Sequence, residues 1–402
     1  MEIVPTMSKR RTTKQLGWPF GFYFFQFAGL ATVGPFIVLF YQNLGFSGGQ
    51  IGLLAGIAPL VTILFSPLWT RLADHTGWHK TLMSVALLAG VVVLSLFPLM
   101  HTFLAVLMLS LALNVFLSPV TPLADSATMA MLGERKEMYG RIRLGGTVGY
   151  GLAASGAGVL VLHYGLRAAF WGCAVLFALS FVVSRRLVHG NRDASRSRVR
   201  GQGFRTLLAN PRWLLFLAVA FTGGWTMASF NYLFPYMKEL GARESMMGLA
   251  LTIGTIAEIP VLYFAHRVIK RYSAHTVFMA AAVITGIRLL LFAASRSPGP
   301  VMVIQLINGL TLPILWVAAV AYANEHAPEG LRTTAQGLLS AMVYGIGAAA
   351  GGFVGGPLLE SIGGRGLYLV FGIVTLAVVG TVALIEQVLS RREASSRDIA
   401  AS

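Results

Sequence analysis

The sequence predicts an all-α membrane protein of twelve transmembrane helices in two six-helix bundles. Three observations predict it. The chain has 402 residues, of which 56% are hydrophobic and only 11% charged, whereas a soluble chain carries about 25% charged residues. Apolar runs of 18 or more residues recur along the whole length, and about 20 such residues cross a bilayer as a helix. The runs are continuously apolar and do not alternate, which excludes a transmembrane barrel.

The runs fall near 18–42, 49–70, 81–99, 103–131, 139–162, 167–188, 213–237, 247–268, 275–294, 300–322, 334–359 and 366–389. Most connections are short, so consecutive helices are expected to be antiparallel neighbours. The first run follows Lys9, Arg10, Arg11 and Lys14 and shows no small-residue cleavage site. It is expected to be an uncleaved start-transfer helix. The organisation expected is a cytoplasmic tail (1–17), an amino-terminal bundle (18–188), a cytoplasmic linker (189–212), a carboxy-terminal bundle (213–389) and a second cytoplasmic tail (390–402).

Charge distribution sets the expected orientation. The net charge is +16, and one reading of so basic a chain is nucleic-acid binding. Placing both termini in the cytoplasm instead puts most Lys and Arg on that side. Only Arg167, Lys238, Arg243, Arg296 and Arg365 fall outside, and Arg288 falls within a span. That asymmetry follows the positive-inside rule and accounts for the charge without a nucleic acid. A multi-pass protein of the cell membrane (inner or plasma membrane) is expected, as a monomer in the lipid bilayer. Cys173 is the only cysteine, so no intrachain disulfide forms.

The two halves repeat at an offset of 196 residues. Leu44-Gly45 matches Leu240-Gly241, Gly52 matches Gly248, Arg71 matches Arg267, and Gly149 and Gly151 match Gly345 and Gly347. Parallel repeats of this kind build one large transporter fold. Gly145, Gly149, Gly156, Gly345, Gly347, Gly351 and Gly355 are expected to give helix faces that pack closely.

Four ionisable residues interrupt the apolar runs: Asp125, Arg143, Glu258 and Arg288. Each costs about 2.5–3.5 kcal/mol at the bilayer centre on insertion scales, and such residues default to a functional reading. Asp125 and Arg143 lie about nine residues either side of a turn, so both sit roughly 13 Å along their helices from it. Glu258 and Arg288 flank the turn near 270–273 and share a depth of roughly 22 Å from it. Each is read as an acid–base pair. The plain alternative is a structural ion pair, although desolvation offsets much of the attraction in such pairs. A pair that opens and protonates would couple a proton to a conformational change.

Other polar positions carry two readings each. Gln26, Asn114, Asn231, Gln305 and Asn308 either line a cavity or bond a neighbouring helix, and bonding is the commoner use. Asn231, near Tyr232 and Tyr236, is the preferred cavity residue. Phe20, Phe22, Tyr23, Phe24, Phe25 and Phe27 either wall an aromatic pocket or meet lipid, and lipid contact is commoner. Glu386 is expected to snorkel near Arg391. Asp74 reads as a gating or structural charge at a helix end.

Enzyme chemistry finds no support. The chain has no H-E-x-x-H, no G-x-S-x-G and no cluster of metal ligands. GYGLAA (149–154) and GIGAAA (345–350) match a loose dinucleotide pattern but lie inside apolar runs, without the strand that pattern needs. No cofactor, no metal and no catalytic residue is expected. With no Walker motif, an ion gradient is the economical energy source.

The run Ser118-Pro-Val-Thr-Pro-Leu-Ala-Asp125, followed by YGRIRLGGTVGY (139–150), resembles the helix 4 and 5 region of proton-coupled permeases of the major facilitator superfamily. Thr70-Arg-Leu-Ala-Asp-His-Thr-Gly-Trp-His-Lys80 resembles that superfamily's loop between helices 2 and 3, with Asp74 and Gly77 matching and Arg71 replacing its first glycine. LRTTAQGL (331–338) resembles its helix 10–11 turn. The phenylpropionate permease branch is the most similar, with lactose permease and nucleoside–proton symporters as neighbours. The resemblance implies the major facilitator fold and places Asp125, Arg143 and Tyr150 with the substrate. It implies Glu258 and Arg288 for proton coupling, and Asp74, Arg71 and Gly77 for gating. Tyr150 replaces the tryptophan that stacks on sugar, and the His/Glu relay of helix 10 has no match. The function expected is a secondary active transporter working by alternating access, a proton symporter for a small organic acid, aromatic acids included. The alternatives are a proton-coupled nucleoside or sugar permease and a non-transporting membrane sensor.

Overall fold

The computed structural model describes residues 9–133, 135–188, 207–328 and 330–401, with side chains from 16 to 391. Most of the expected linker (189–212) and the start of the amino-terminal tail lie outside the described residues. Among the described residues every regular element is helical.

Ten long helical segments come first: α1 Leu16–Asn43, α2 Gly48–Thr76, α3 His79–Leu99, α4 Phe103–Leu132, α5 Lys136–Tyr164, α6 Leu166–Ser184, α7 Pro211–Glu239, α8 Glu244–Tyr272, α9 Ala274–Ala294 and α10 Pro298–His326. The last segment, Arg332–Arg391, has 60 residues. Straight, it would run about 90 Å, three times a hydrocarbon core of about 30 Å. It breaks at Gly363, whose φ of 69° and ψ of 176° are not helical. The two parts, α11 (332–362) and α12 (364–391), bring the long apolar helices among the described residues to twelve. The connection is a single glycine, so the segment is helical on both sides of the bend.

The internal repeat is written into the corners of the chain. Backbone positions with positive φ come in pairs at offsets of 196 to 198 residues: Gly45 and Gly241, Gly77 and Ser273, Gly133 and Gly330, Gly165 and Gly363. Glycine enters this region without steric cost. Ser273 is the non-glycine member, and its side chain accepts a hydrogen bond from the Thr276 amide at the start of α9. The tight 3₁₀ turn Gly34–Phe36 inside α1 likewise has a counterpart in Ser229–Tyr232 inside α7.

Two compact units result. Unit 1 comprises residues up to Gly45, Val61–Arg196 and Arg243–Thr252; unit 2 comprises Phe46–Leu60, Ser197–Ala242 and the chain from Ile253. Each unit therefore holds the first part of a helix, α8 or α2, whose remainder belongs to the other. In unit 1, Gly145 and Gly149 of α5 pack on the backbone of Phe20 and Phe24, and Gly248 of α8 packs on the Ala154 carbonyl. Thr252 donates to the Gly151 carbonyl at 2.6 Å and meets Ser155 at 2.7 Å. In unit 2, Gly52 of α2 packs on the Phe353 carbonyl, and Gly351 of α11 packs on the backbone of Trp225. Such small-residue seams hold helices where lipid removes the hydrophobic drive between them. Gly156 departs from expectation: a side chain there would meet nothing within 4 Å.

Aromatic clusters fill the interiors. Phe40, Phe97 and Phe170 pack in unit 1, with Phe40 and Phe170 centroids 4.6 Å apart. In unit 2, Phe216 stacks on Tyr322 at 4.7 Å. Cys173 lies buried in α6, and a side chain on Gly29 would reach its sulfur at 3.5 Å. Large apolar side chains such as Leu64, Leu104, Leu152, Val182 and Leu384 are exposed, as the outer surface of a membrane bundle requires.

Candidate functional site

Asp125 and Arg143 meet in unit 1. One guanidinium nitrogen of Arg143 donates to Asp125 Oδ1 at 2.9 Å. The two side chains remain 36% and 34% exposed, so the pair is reachable rather than sealed. Tyr23 of α1 also donates to Asp125 Oδ1, at 2.5 Å, and its hydroxyl lies 3.4 Å from Thr128. The Arg143 guanidinium sits over the Tyr23 ring at 4.9 Å and the Phe27 ring at 5.1 Å. Cation–π contacts at partly exposed sites contribute roughly 0.5–1 kcal/mol each and favour one placement of the guanidinium plane. Gln26, one helical step away, donates to Thr121 at 3.0 Å, while its buried Oε1 has no partner among the described residues.

Two of the aromatic residues with the double reading of pocket wall or lipid contact, Tyr23 and Phe27, thus belong to this group. Phe22 and Tyr23 are fully buried. The signal lay in the sequence: Tyr23 carries the only hydroxyl in the aromatic stretch 20–27, and a buried phenol seeks a partner. Tyr150 lies seven residues beyond Arg143, on the same face of α5 by helical periodicity. It is half-buried.

Glu258 and Arg288 do not pair directly. Among the described residues no ion pair joins them. Side chains of α10 stand between them instead. Asn308 donates to Glu258 Oε1, and Arg288 donates to Gln305 Oε1 and, at 3.3 Å, to Thr311 Oγ1. Thr311 in turn donates to the Asn308 carbonyl. The reason is local. Residues Gln305–Leu310 tighten into a 3₁₀ helix, which brings Gln305 and Asn308 onto one edge. Gly254 and Gly309 let α8 and α10 approach: a side chain on Gly309 would collide with the Ala257 carbonyl and with Glu258. Arg288 is 6% exposed and Gln305 fully buried. Two buried donors in this group, Arg288 Nε and Gln305 Nε2, have no hydrogen-bond partner among the described residues.

The remaining candidates stand apart from both groups. Asn231 is half-buried in α7 and makes no side-chain hydrogen bond among the described residues. Its neighbours are committed to packing: Tyr232 donates to the Gly352 carbonyl at 2.7 Å and Tyr236 to the Phe292 carbonyl at 2.5 Å. Asp74 pairs with His79 at 3.0 Å around the corner made by Gly77, and Arg71 is exposed nearby. Asn114 bonds its own helix at Ser110. Glu386 does not snorkel alone; it meets His275 Nε2 at 3.1 Å. No group of three or more metal-ligating side chains occurs among the described residues.

Residues 19–370 match the MFS_1 like family. The maltose permease of Geobacillus stearothermophilus is 30% identical over 374 residues, covering 92% of this chain and 94% of that one. The probable 3-phenylpropionic acid transporter of Escherichia coli (strain K12) is 24% identical over 358 residues, covering 88% and 93%. Among solved structures, that of the nucleoside transporter NupG superposes with a TM-score of 0.82 at 17% identity, covering 92% of this chain and 98% of that one.

Proposed function

Because the chain belongs to the MFS_1 like family of the major facilitator superfamily, whose relatives and fold neighbours are transporters, we propose that it is a proton symporter for a small organic acid, aromatic acids included. A membrane transporter is the premise; cargo and coupling ion are our reading. The observation that carries it is the pair of unpartnered buried donors, Arg288 Nε and Gln305 Nε2. A buried donor without a partner costs about 1–3 kcal/mol, and an incoming carboxylate oxygen would remove that cost. Within unit 1, Arg143 offers a cationic anchor of its own, since a single one of its N–H groups is bonded to Asp125 among the described residues. Tyr23 and Phe27, which flank it, would suit an aromatic ring.

Glu258 is our proton carrier. Its bonded partner is a neutral amide, Asn308. An amide donates through nitrogen to a carboxylate and accepts through oxygen from a carboxylic acid. Either protonation state of Glu258 therefore has a partner ready after one amide flip. In this reading Asp125, Arg143 and Tyr150 serve the substrate, Asp74, Arg71 and Gly77 serve gating, and both termini face the cytoplasm of a cell-membrane monomer. The 30% identity to a maltose permease favours a second reading, a sugar, whose hydroxyls would use Asp125 as acceptor and Arg143 as donor.

Purified protein in liposomes tests both. With an imposed proton gradient, labelled aromatic carboxylates should accumulate and maltose should not compete. Accumulation of maltose alone would select the sugar reading, and gradient-independent uptake of every compound would sink proton symport.

A further inference from the structure

A groove of about 790 Å³ runs between α9 and α12 on unit 2. Its walls are apolar, with Met279 and Val283 from α9 and Leu376 and Val379 from α12. Gly380 leaves it open, since a side chain there would meet nothing within 4 Å. The same two helices carry Ile287, Leu291, Ile373 and Leu384, all exposed, so the groove opens on the face that meets hydrocarbon. At one end the lining turns polar through His275, Glu386, Ser390 and Arg391. An apolar slot ending in a polar rim has the anatomy of an acyl chain and its headgroup.

The charges at the rim select the headgroup. Glu386 binds His275 through Oε1 at 3.1 Å, and its second oxygen takes no hydrogen bond among the described residues. Arg391 makes no ion pair among them. A carboxylate and a guanidinium lining one groove complement an ammonium and a phosphate together. A purely anionic headgroup would meet Glu386 unfavourably. A quaternary ammonium has no N–H with which to bond it. We propose that this groove is a binding site for a phospholipid whose headgroup carries both a phosphate and a primary ammonium. The ammonium sits on Glu386, the phosphate on Arg391, and one acyl chain along Gly380. Basic rims between helices are a known form of lipid recognition; the acidic partner narrows the class.

Native mass spectrometry of the full chain in detergent tests the site, using phosphatidylethanolamine, phosphatidylglycerol and phosphatidylcholine with identical chains. The wild type should retain phosphatidylethanolamine about tenfold more than either competitor, the value of one charge-assisted hydrogen bond. Gly380→Leu, which fills the slot without touching the rim, should lower retention of phosphatidylethanolamine by a similar factor. Glu386→Gln should keep lipid bound but lose the preference over phosphatidylglycerol, and Arg391→Gln should weaken phosphatidylethanolamine and phosphatidylglycerol alike. Equal retention of the three lipids by the wild type, or no retention, overturns the proposal. So does a preference that survives Glu386→Gln, or retention unchanged in a Gly380→Leu protein that remains monodisperse.

Discussion

The two acid–base groups solve one problem in opposite ways. In unit 1, Asp125 and Arg143 touch at 2.9 Å and stay about a third exposed. In unit 2, Glu258 and Arg288 are separated by Asn308, Gln305 and Thr311, and Arg288 is almost fully buried. Direct contact neutralises both charges at once, and each depends on the other. An amide bridge bonds acid and base separately, so one can change its protonation without breaking a bond to the other. A fixed anchor suits the first arrangement, and an exchangeable proton suits the second.

Substitutions can break or sharpen this contrast. The largest effect is expected from Glu258→Gln. Gradient-driven accumulation in vesicles should fall to the level of empty liposomes, while exchange of internal for external cargo persists. Continued accumulation would move the proton carrier elsewhere. Next comes Arg143→Lys, which keeps the charge but loses the planar fork. Cargo affinity measured by calorimetry should drop about tenfold, and unchanged affinity would remove Arg143 from the site.

Stability separates the groups more finely. Asp125→Asn should lower it by about 1–2 kcal/mol, less than for a fully buried pair because the side chains are partly exposed. Asp125→Asn with Arg143→Gln should recover part of that loss in thermal unfolding. Asn308→Leu should cost about 1–3 kcal/mol through the Glu258 oxygen left unpartnered, and Arg288→Gln should not rescue it, because the two are not bonded. Rescue there as strong as in unit 1 would erase the distinction. The smallest effect belongs to Asp74→Asn: Asp74 is 62% exposed, and exposed pairs contribute about 0–1 kcal/mol.

The helices were legible because bilayer thickness sets a length that composition alone must fill. The repeat was legible at Leu44-Gly45 and Leu240-Gly241, whose glycines are both forced into positive φ. The equivalence of Gly77 and Ser273 was not, because serine carries no outward sign of that conformation. The four charges stood out through their cost. Counting residues from a turn fixes depth but not rotation, so whether Glu258 faced Arg288 could not be read. Rotation is set by seams such as Gly309 against Glu258, which depend on the partner helix. Asn308 and Gln305 therefore looked like ordinary packing residues, and Tyr23 like one more aromatic side chain facing lipid.

Cys173 bears on how all this can be examined. It is the sole thiol of the chain and is only 2% exposed in α6. Buried structural cysteines are inert to alkylating reagents, so the natural protein is already a silent background for thiol chemistry. A cysteine placed at Tyr150, Asn231 or Gly380 would be the one reactive sulfur in the molecule. Its rate of maleimide labelling, with and without cargo, would report the accessibility of that single position.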